Sequence, residues 1–330
     1  MRNSRSVAFH QWLLPTGPRT IGHDLNPSDA TGHSRNNQYC AIVATFRRPD
    51  ALRATLESLL NQSVPPSLVV VADNDPAQSA CAVVEAAVAR PTTTLRYLAT
   101  GHNLGPAGAW ARAALLAEHD SKRGDWLLLV DDDDPITEPS MCAQMLAKAV
   151  GAPDEVAAIG LRGARWRQTR ASLKRVHPVD RMPQDCDYLA SNGVPLYRWA
   201  VLDQIGFFDE TLFFGFEDLE LGLRLRAVGL RLQVVEPETS FEVASTSPTR
   251  TAWREYFKTR ALVITAQRHL DMWALTVITC RSVVLGGVLL TVKHRDIALM
   301  RARCHGLIDG LRGRPGRARY IPSDNPPKPR

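Results

Sequence analysis

Asp131-Asp132-Asp133-Asp134 is the densest concentration of chemistry in the sequence. The run directly follows the apolar stretch Asp125–Val130 (DWLLLV), so the carboxylates sit where a buried strand would end. Crowded carboxylates repel one another unless a cation neutralises them, and in open α/β sheets ligands bind at the carboxyl ends of strands. Hard divalent ions that prefer oxygen ligands, Mg²⁺ or Mn²⁺, are the natural partners. Asp131 and Asp133 can aim in one general direction on an extended turn, which suits shared coordination of one metal bridging a diphosphate. A solvated acidic turn with a helix cap is the plainer explanation of an isolated Asp-x-Asp, and the run of four directly behind WLLLV weighs against it.

A second constellation is Phe207-Phe208-Asp209-Glu210 followed by Phe213-Phe214-Gly215-Phe216-Glu217-Asp218-Leu219-Glu220. Acids at a helix start are explained by capping alone, because they favour the positive N-terminal end. The functional alternative gives the aromatics the role of a dry wall on which a sugar ring packs. One carboxylate would then remove a proton from an incoming hydroxyl as general base.

These residues need a scaffold, and the apolar pattern supplies one. Tyr39–Ala44 and Ser67–Ala72 are short apolar runs of the kind buried in a parallel sheet, and Thr94–Leu98 and Asp125–Val130 read as the third and fourth strands. Between them Pro49–Leu60, Ala77–Ala89 and Gly105–His119 have helical spacing. Strands alternating with helices predict βαβ units and a mostly parallel central sheet flanked by helices. The second half loses this alternation. Ala157–Gly163 is expected to be a strand, Arg165–Pro183 a polar loop and Tyr188–Val201 another apolar stretch. Glu217–Val228 is expected to be a helix closed by Gly229, and Leu230–Val235 a strand ended by Pro237.

Composition narrows the function classes. With 330 residues, 45% hydrophobic and 22% charged, the chain has ordinary globular content and can bury a large core. The formal charge of +6 is concentrated towards the ends, without an aromatic-interleaved basic stripe. That distribution suits an anionic membrane surface or phosphate-bearing ligands rather than nucleic acid. The six cysteines are scattered singly, without zinc-ligand spacing, as for free thiols in a reducing cytoplasm. Residues 1–38 lack a sustained apolar stretch and are expected to be disordered, with no signal peptide.

In order and spacing, these motifs resemble the family-2 glycosyltransferases of the GT-A fold, in particular the bacterial galactofuranosyl- and rhamnosyl-transferase branch. The resemblance covers roughly residues 39–270. AIVATFRRPDALRATLESLLNQS is similar to the family's opening strand and helix, with Thr45 and Arg47 at the nucleotide-facing turn. VVVADND resembles the motif whose aspartate, here Asp73, contacts the nucleobase or ribose. NLGPAGAWARA resembles the family's glycine-rich turn, which implies nucleotide-sugar contacts for Asn103 and Gly105. LLLVDDDD resembles the metal motif, with Asp131 and Asp133 as ligands of Mg²⁺ or Mn²⁺ and Asp132 beside them at the nucleotide-sugar. GFFDETLFFGFEDLELGLRLRAVG resembles the acceptor-side motif. There the second acid, Asp218, is implied as catalytic base, with Glu217, Phe214 and Phe216 at the acceptor.

The resemblance therefore implies an inverting, metal-dependent transfer from a nucleotide-sugar, of the dTDP-rhamnose or UDP-galactofuranose class, to a hydroxyl of a lipid-linked glycan. The sequence departs from the pattern at two places. Family members often carry a further metal-ligand histidine after the strand that follows the Glu-Asp helix, where this chain has EPETSFEVAS. Glu242 or Glu238 could substitute, or a water could. The segment YFKTRA, with Arg260, resembles a YYxxRN motif with Ala261 in place of its Asn. A catalytically silent nucleotide-sugar-binding scaffold is the alternative these departures leave open. A haloacid-dehalogenase-like phosphatase fits poorly, since Pro135 occupies a position where Thr or Val usually follows. A sugar nucleotidyltransferase should open with a glycine-rich loop, and ATFRRPD has no glycine.

The expected organisation is a GT-A domain over residues 39–245 and a basic, helical extension over 246–330. Within that extension Met272–Val292 is long enough to span a bilayer, but Arg281 lies mid-segment at a cost of about 2.5–3.5 kcal/mol. An interfacial helix is expected instead, making the protein peripheral at the inner face of the cell membrane.

Overall fold

A computed structural model of the protein describes residues 37–239, 250–281 and 296–322. The first 100 residues of this stretch build alternating strands and helices in the expected order: β1 (Tyr39–Thr45), α1 (Pro49–Leu60), β2 (Leu68–Asp73), α2 (Cys81–Ala86), β3 (Thr94–Ala99), α3 (Gly105–Glu118) and β4 (Trp126–Asp131). Then come α4 (Met141–Val150), β5 (Val156–Gly160), β6 (Gly163–Arg167), β7 (Ser172–Val176), β8 (Gln184–Cys186), β9 (Tyr188–Leu189), β10 (Leu196–Arg198) and α5 (Trp199–Ile205). The chain continues with α6 (Glu217–Ala227), β11 (Arg231–Val234), α7 (Ala252–His269), α8 (Met272–Cys280) and α9 (Ile297–Leu311).

One sheet has the order β3-β2-β1-β4-β10-β5-β11-β8, and a smaller one the order β7-β6-β9. β1 pairs in parallel with β2 and β4, and β2 with β3, while β10 runs antiparallel between β4 and β5. The continuous apolar runs of β1, β2 and β4 follow from burial on both faces. Cys40 and Ile42 pack with Ala109, Trp110 and Leu202 on one face of the sheet. Tyr39, Ala41 and Val43 pack with Leu52, Val83 and Met145 on the other. A period of two thus feeds two helical layers and aligns the carboxyl ends of β1, β2 and β4 at one rim.

Two expectations are corrected. Arg165–Pro183 is not simply a polar loop: β6 and β7 form an antiparallel hairpin in which Trp166 faces Leu173. Trp166 is buried against α6, α7 and α8, so one apolar face every second residue suffices. The helix expected over Ala77–Ala89 contracts to Cys81–Ala86, because Asp75 and Asp73 capture the backbone N–H groups of Ala77 and Ala80 in turns. The strand expected at Thr94 is present as β3; it forms the edge of the sheet, where it is half-buried.

The C-terminal helices pack firmly on this body. Arg260, almost wholly buried, donates through Nε to the Arg314 carbonyl (2.8 Å) and through Nη1 to the Thr211 carbonyl (2.8 Å). Tyr256 donates to buried Asp309 (2.9 Å), which also pairs with Arg317. Among the described residues no helix is long and apolar enough to cross a membrane. Met272 and Trp273, at the start of α8, are 74% and 59% exposed. The rest of the apolar segment, 282–292, lies outside the described residues, as do residues 1–36 of the expected N-terminal segment.

Candidate active site

At the rim where β1 and β4 end, a cavity of about 410 Å³ opens between the strand ends, the turn before α3 and the first turn of α7. Thr45, Asn103, Gly105, Asp131, Asp132, Asp133 and Phe214, all expected from the sequence, lie in its wall. Arg47, Asp73, Phe216, Glu217 and Asp218 do not.

The aspartates are held in different ways. Asp132 is buried and accepts from Thr45 Oγ1 (2.8 Å) and Arg48 Nη1 (3.2 Å), while its carbonyl accepts from Thr55 (2.8 Å). Asp133 is exposed and pairs with the same guanidinium at 2.5 Å. Asp131 accepts from Ser191 Oγ (2.6 Å). Burial, with repulsion from its acidic neighbours, pushes the Asp131 carboxyl up to about 7 and that of Asp134 up to about 6. Positive charge is therefore in deficit at Asp131, and its oxygens suit a hard divalent cation. Among the described residues no group of three His, Cys, Asp or Glu forms a self-sufficient metal centre. Glu238 is exposed, and Glu242 lies outside the described residues.

The α3 side of the cavity is shaped by close approach. Gly105 has φ +69°, and a Cβ on it would lie 2.1 Å from the Phe213 carbonyl oxygen. Only glycine lets the turn before α3 and the aromatic loop meet this closely. Asn103 closes the turn by accepting from Gly105 N (2.9 Å), and Asn74 donates to the Gly105 carbonyl (3.0 Å). Asp73 serves the same scaffold: it is fully buried, and its oxygens accept from Asp75 N, Ala80 N and Tyr97 OH, each at 2.9 Å. Its neighbour Asn74 is the residue in the cavity wall. Arg47 pairs with Asp75 (3.1 Å), leaving Arg48 to meet the aspartates.

The aromatic loop is strained. Phe213 and Phe216 hold φ of +67° and +65°, a region costly for bulky side chains. Stacking of Phe213 on Phe257, with centroids 4.1 Å apart, helps to hold it. The loop delivers Glu217 and Asp218 to the first turn of α6, where both are buried. Among the described residues, Glu217 Oε2 and Asp218 Oδ1 have no hydrogen-bond partner. Burial pushes Glu217 up to about 7, and burial with repulsion from Glu217 and Asp131 pushes Asp218 well above the carboxylate range. Tyr188, on β9, lies in the field of Asp131, Glu217 and Asp218. Buried carboxyl oxygens without partners are costly, and two adjacent carboxyls with raised pKa make this turn a candidate for chemistry.

Sequence reasoning did not single out Arg48, Asn74, Ser191, Trp253 or Arg254. Arg48 is signalled by its place one residue from the turn that carries Thr45, but Ser191 and Trp253 reach the site only through tertiary folding.

Residues 37–266 match the glycosyltransferase-like family 2. The chain is 31% identical over 204 residues to the galactofuranosyltransferase GlfT1 of Mycobacterium tuberculosis, covering 58% of this chain and 65% of that protein. It is 29% identical over 210 residues to GlfT1 of Mycolicibacterium smegmatis, covering 58% and 66%. The chain thus spans about two thirds of the length of these relatives or slightly less. In fold it is similar to a mannosyltransferase of Pyrobaculum calidifontis solved with GDP-Man and Mn²⁺ (TM-score 0.51, 14% identity, covering 86% of this chain and 92% of that one). It is likewise similar to S. aureus TarS (TM-score 0.51, 19% identity, covering 86% and 50%). With its sheet, its strand-end cleft and this match over most of its length, the chain belongs to glycosyltransferase family 2 and has the GT-A fold.

Proposed function

We propose that the protein is an inverting glycosyltransferase that moves galactofuranose, or a related sugar such as rhamnose, from a nucleotide-sugar to a hydroxyl of a polyprenyl-linked cell-envelope glycan. The observation that carries this is one cleft in which Asp131, Asp132 and Asp133 share a wall with Phe213, Phe214 and Trp253, with the buried Asp218 carboxyl in the field of Asp131 and Glu217. The likeness to galactofuranosyltransferases favours UDP-galactofuranose over dTDP-rhamnose.

In this account Thr45, Asn74, Asn103 and Asp132 shape the nucleotide pocket, and Asp73, Arg47 and Gly105 fix the turns behind it. Asp131 and Asp133 would hold Mg²⁺ or Mn²⁺, which when bound would neutralise charge on the departing diphosphate. Phe214 and Phe216 present an apolar surface to the acceptor sugar, and Glu217 orients the acceptor. Asp218 takes the acceptor hydroxyl proton as that oxygen bonds to the anomeric carbon. The bond from that carbon to the diphosphate oxygen breaks, the nucleoside diphosphate leaves with the electron pair, and configuration inverts.

Pairing of Arg48 with Asp132 and Asp133 gives the second account, a silent nucleotide-sugar-binding scaffold, its own support. Mass spectrometry of the purified protein with a panel of nucleotide-sugars, with Mn²⁺ or EDTA, separates the two. Metal-dependent turnover of one donor is expected, and full activity in EDTA or binding without turnover would contradict it. The exposed Met272 and Trp273 and the basic flank at Lys293 and Arg295 support peripheral attachment to the inner membrane face. Carbonate washing should release the protein from membranes, and complete resistance would favour a span.

A further inference from the structure

α7 carries two cations, Arg254 and Lys258, spaced one helical turn apart, and both are applied to the same aromatic ring. The Arg254 guanidinium lies 5.7 Å from the Phe214 centroid and 5.3 Å from that of Trp253, and Lys258 Nζ lies 5.5 Å from Phe214. Arg254, Trp253 and Phe214 belong to the cleft wall that also contains Asp131–Asp133. Among the described residues neither cation has a carboxylate within ion-pair distance, although Arg260 and Arg268 on the same helix are both tied to the protein. Like charges four residues apart on a helix repel, and apolar surroundings strengthen the repulsion. Burial and the field of Arg254 hold the Lys258 ammonium below its usual range.

The loop accommodates this arrangement. Gly215, at φ +83°, lies against the Lys258 stem, and a Cβ on it would come 2.8 Å from Lys258 Cγ. The glycine in Phe-Phe-Gly-Phe-Glu therefore has two tasks: it makes the turn, and it lets the lysine stem cross the aromatic loop towards Glu217, whose field it enters.

We propose that Arg254 and Lys258 form an anion site on the α7 side of the cleft, whose ligand is a diphosphate. A diphosphate offers several anionic oxygens, enough to engage a guanidinium and an ammonium together. Two molecules could carry it: the nucleoside diphosphate of the donor, or a lipid-linked diphosphate of the acceptor. Only the identity of the carrier rests on the glycosyltransferase assignment; the anion site itself stands on the cation pair.

The test is calorimetric titration of the full chain in EDTA, so that metal coordination does not contribute, with inorganic pyrophosphate, UDP and farnesyl diphosphate as separate probes. Pyrophosphate binding is expected to weaken by about tenfold or more in Arg254→Gln/Lys258→Gln, and its salt dependence to flatten. Arg254→Lys and Lys258→Arg, which keep the charge, should retain most of the binding and the melting temperature. A matching loss for UDP assigns the site to the donor. A loss for farnesyl diphosphate with UDP unchanged assigns it to the acceptor. Unchanged binding of all three probes, or no pyrophosphate binding by the unaltered protein, overturns the proposal. If the protein turns over no nucleotide-sugar yet pyrophosphate binding still depends on the two cations, the glycosyltransferase account fails and the anion site survives.

Discussion

Two groups of carboxylates, one in the cleft wall and one buried at the start of α6, are treated by the protein in opposite ways. At the end of β4, Asp132 is buried with partners on both oxygens, and Asp133 is paired with Arg48. At the start of α6, Glu217 and Asp218 are buried, each with one oxygen unpartnered among the described residues, and both are pushed up in pKa. A buried polar atom without a partner costs about 1–3 kcal/mol, more for a charge, so the second arrangement is a stability deficit that the fold maintains. In the proposed account the first group would serve the nucleotide side and the second would exchange a proton, with Asp131 in the field of Asp218.

The comparison breaks most decisively at Asp131. Asp131→Ala or Asp133→Ala should abolish transfer and the Mn²⁺ dependence of donor binding, with the fold intact by circular dichroism. Persistence of metal-stimulated activity in both variants would remove the aspartate run from the chemistry.

Gly105→Ala tests whether the two sides are in register. Its Cβ would collide with the Phe213 carbonyl at an unfavourable φ, so a destabilisation of about 1–3 kcal/mol is expected, with a raised KM for both substrates. An unchanged melting temperature and unchanged KM would mean that the aromatic loop moves freely of the donor turn. Thr45→Val should cost about 1–2 kcal/mol by leaving Asp132 short of a donor, measured by denaturant titration. A neutral outcome would show Asp132 to be less constrained than its contacts indicate.

The smallest effect is in pH dependence. Glu217 rises from 4.5 to about 7, so the folded state holds its proton more tightly than the unfolded state. That stabilising contribution is complete below about 4.5 and is lost as pH rises through about 7. Melting curves of the unaltered protein should fall across this window relative to Glu217→Gln, which should be flatter. Parallel curves would contradict the raised pKa.

Much of this was legible in the sequence because parallel buried strands are written as uninterrupted apolar runs. IVA, LVVVA and WLLLV leave little choice of element, and acids mark the ends of the last two. The β6–β7 hairpin was not legible: RWRQTRASLKRV lacks a hairpin turn dipeptide, and its buried face is largely Trp166 and Leu173, packed by helices distant in sequence. At the site, residue types were readable but pairings were not. Asp73 and Asp132 look alike as strand-end acids, yet the first is consumed by turn hydrogen bonds and the second faces the cleft. Trp253 and Arg254 become part of the wall because α7 folds back over the rim, which no local pattern encodes.

The central claim, that the α6 carboxylates trade stability for proton transfer, is tested most directly by measuring Asp218→Asn in two ways on one preparation. Steady-state kinetics with UDP-galactofuranose and a lipid-linked acceptor should show turnover lowered by about 10²–10⁴-fold, with donor affinity near normal. Thermal unfolding should show a melting temperature equal to or above that of the unaltered protein, because the amide replaces a buried carboxyl whose ionisation is opposed by burial, Glu217 and Asp131. Near-normal turnover combined with a lowered melting temperature would contradict the account and make Asp218 a structural residue.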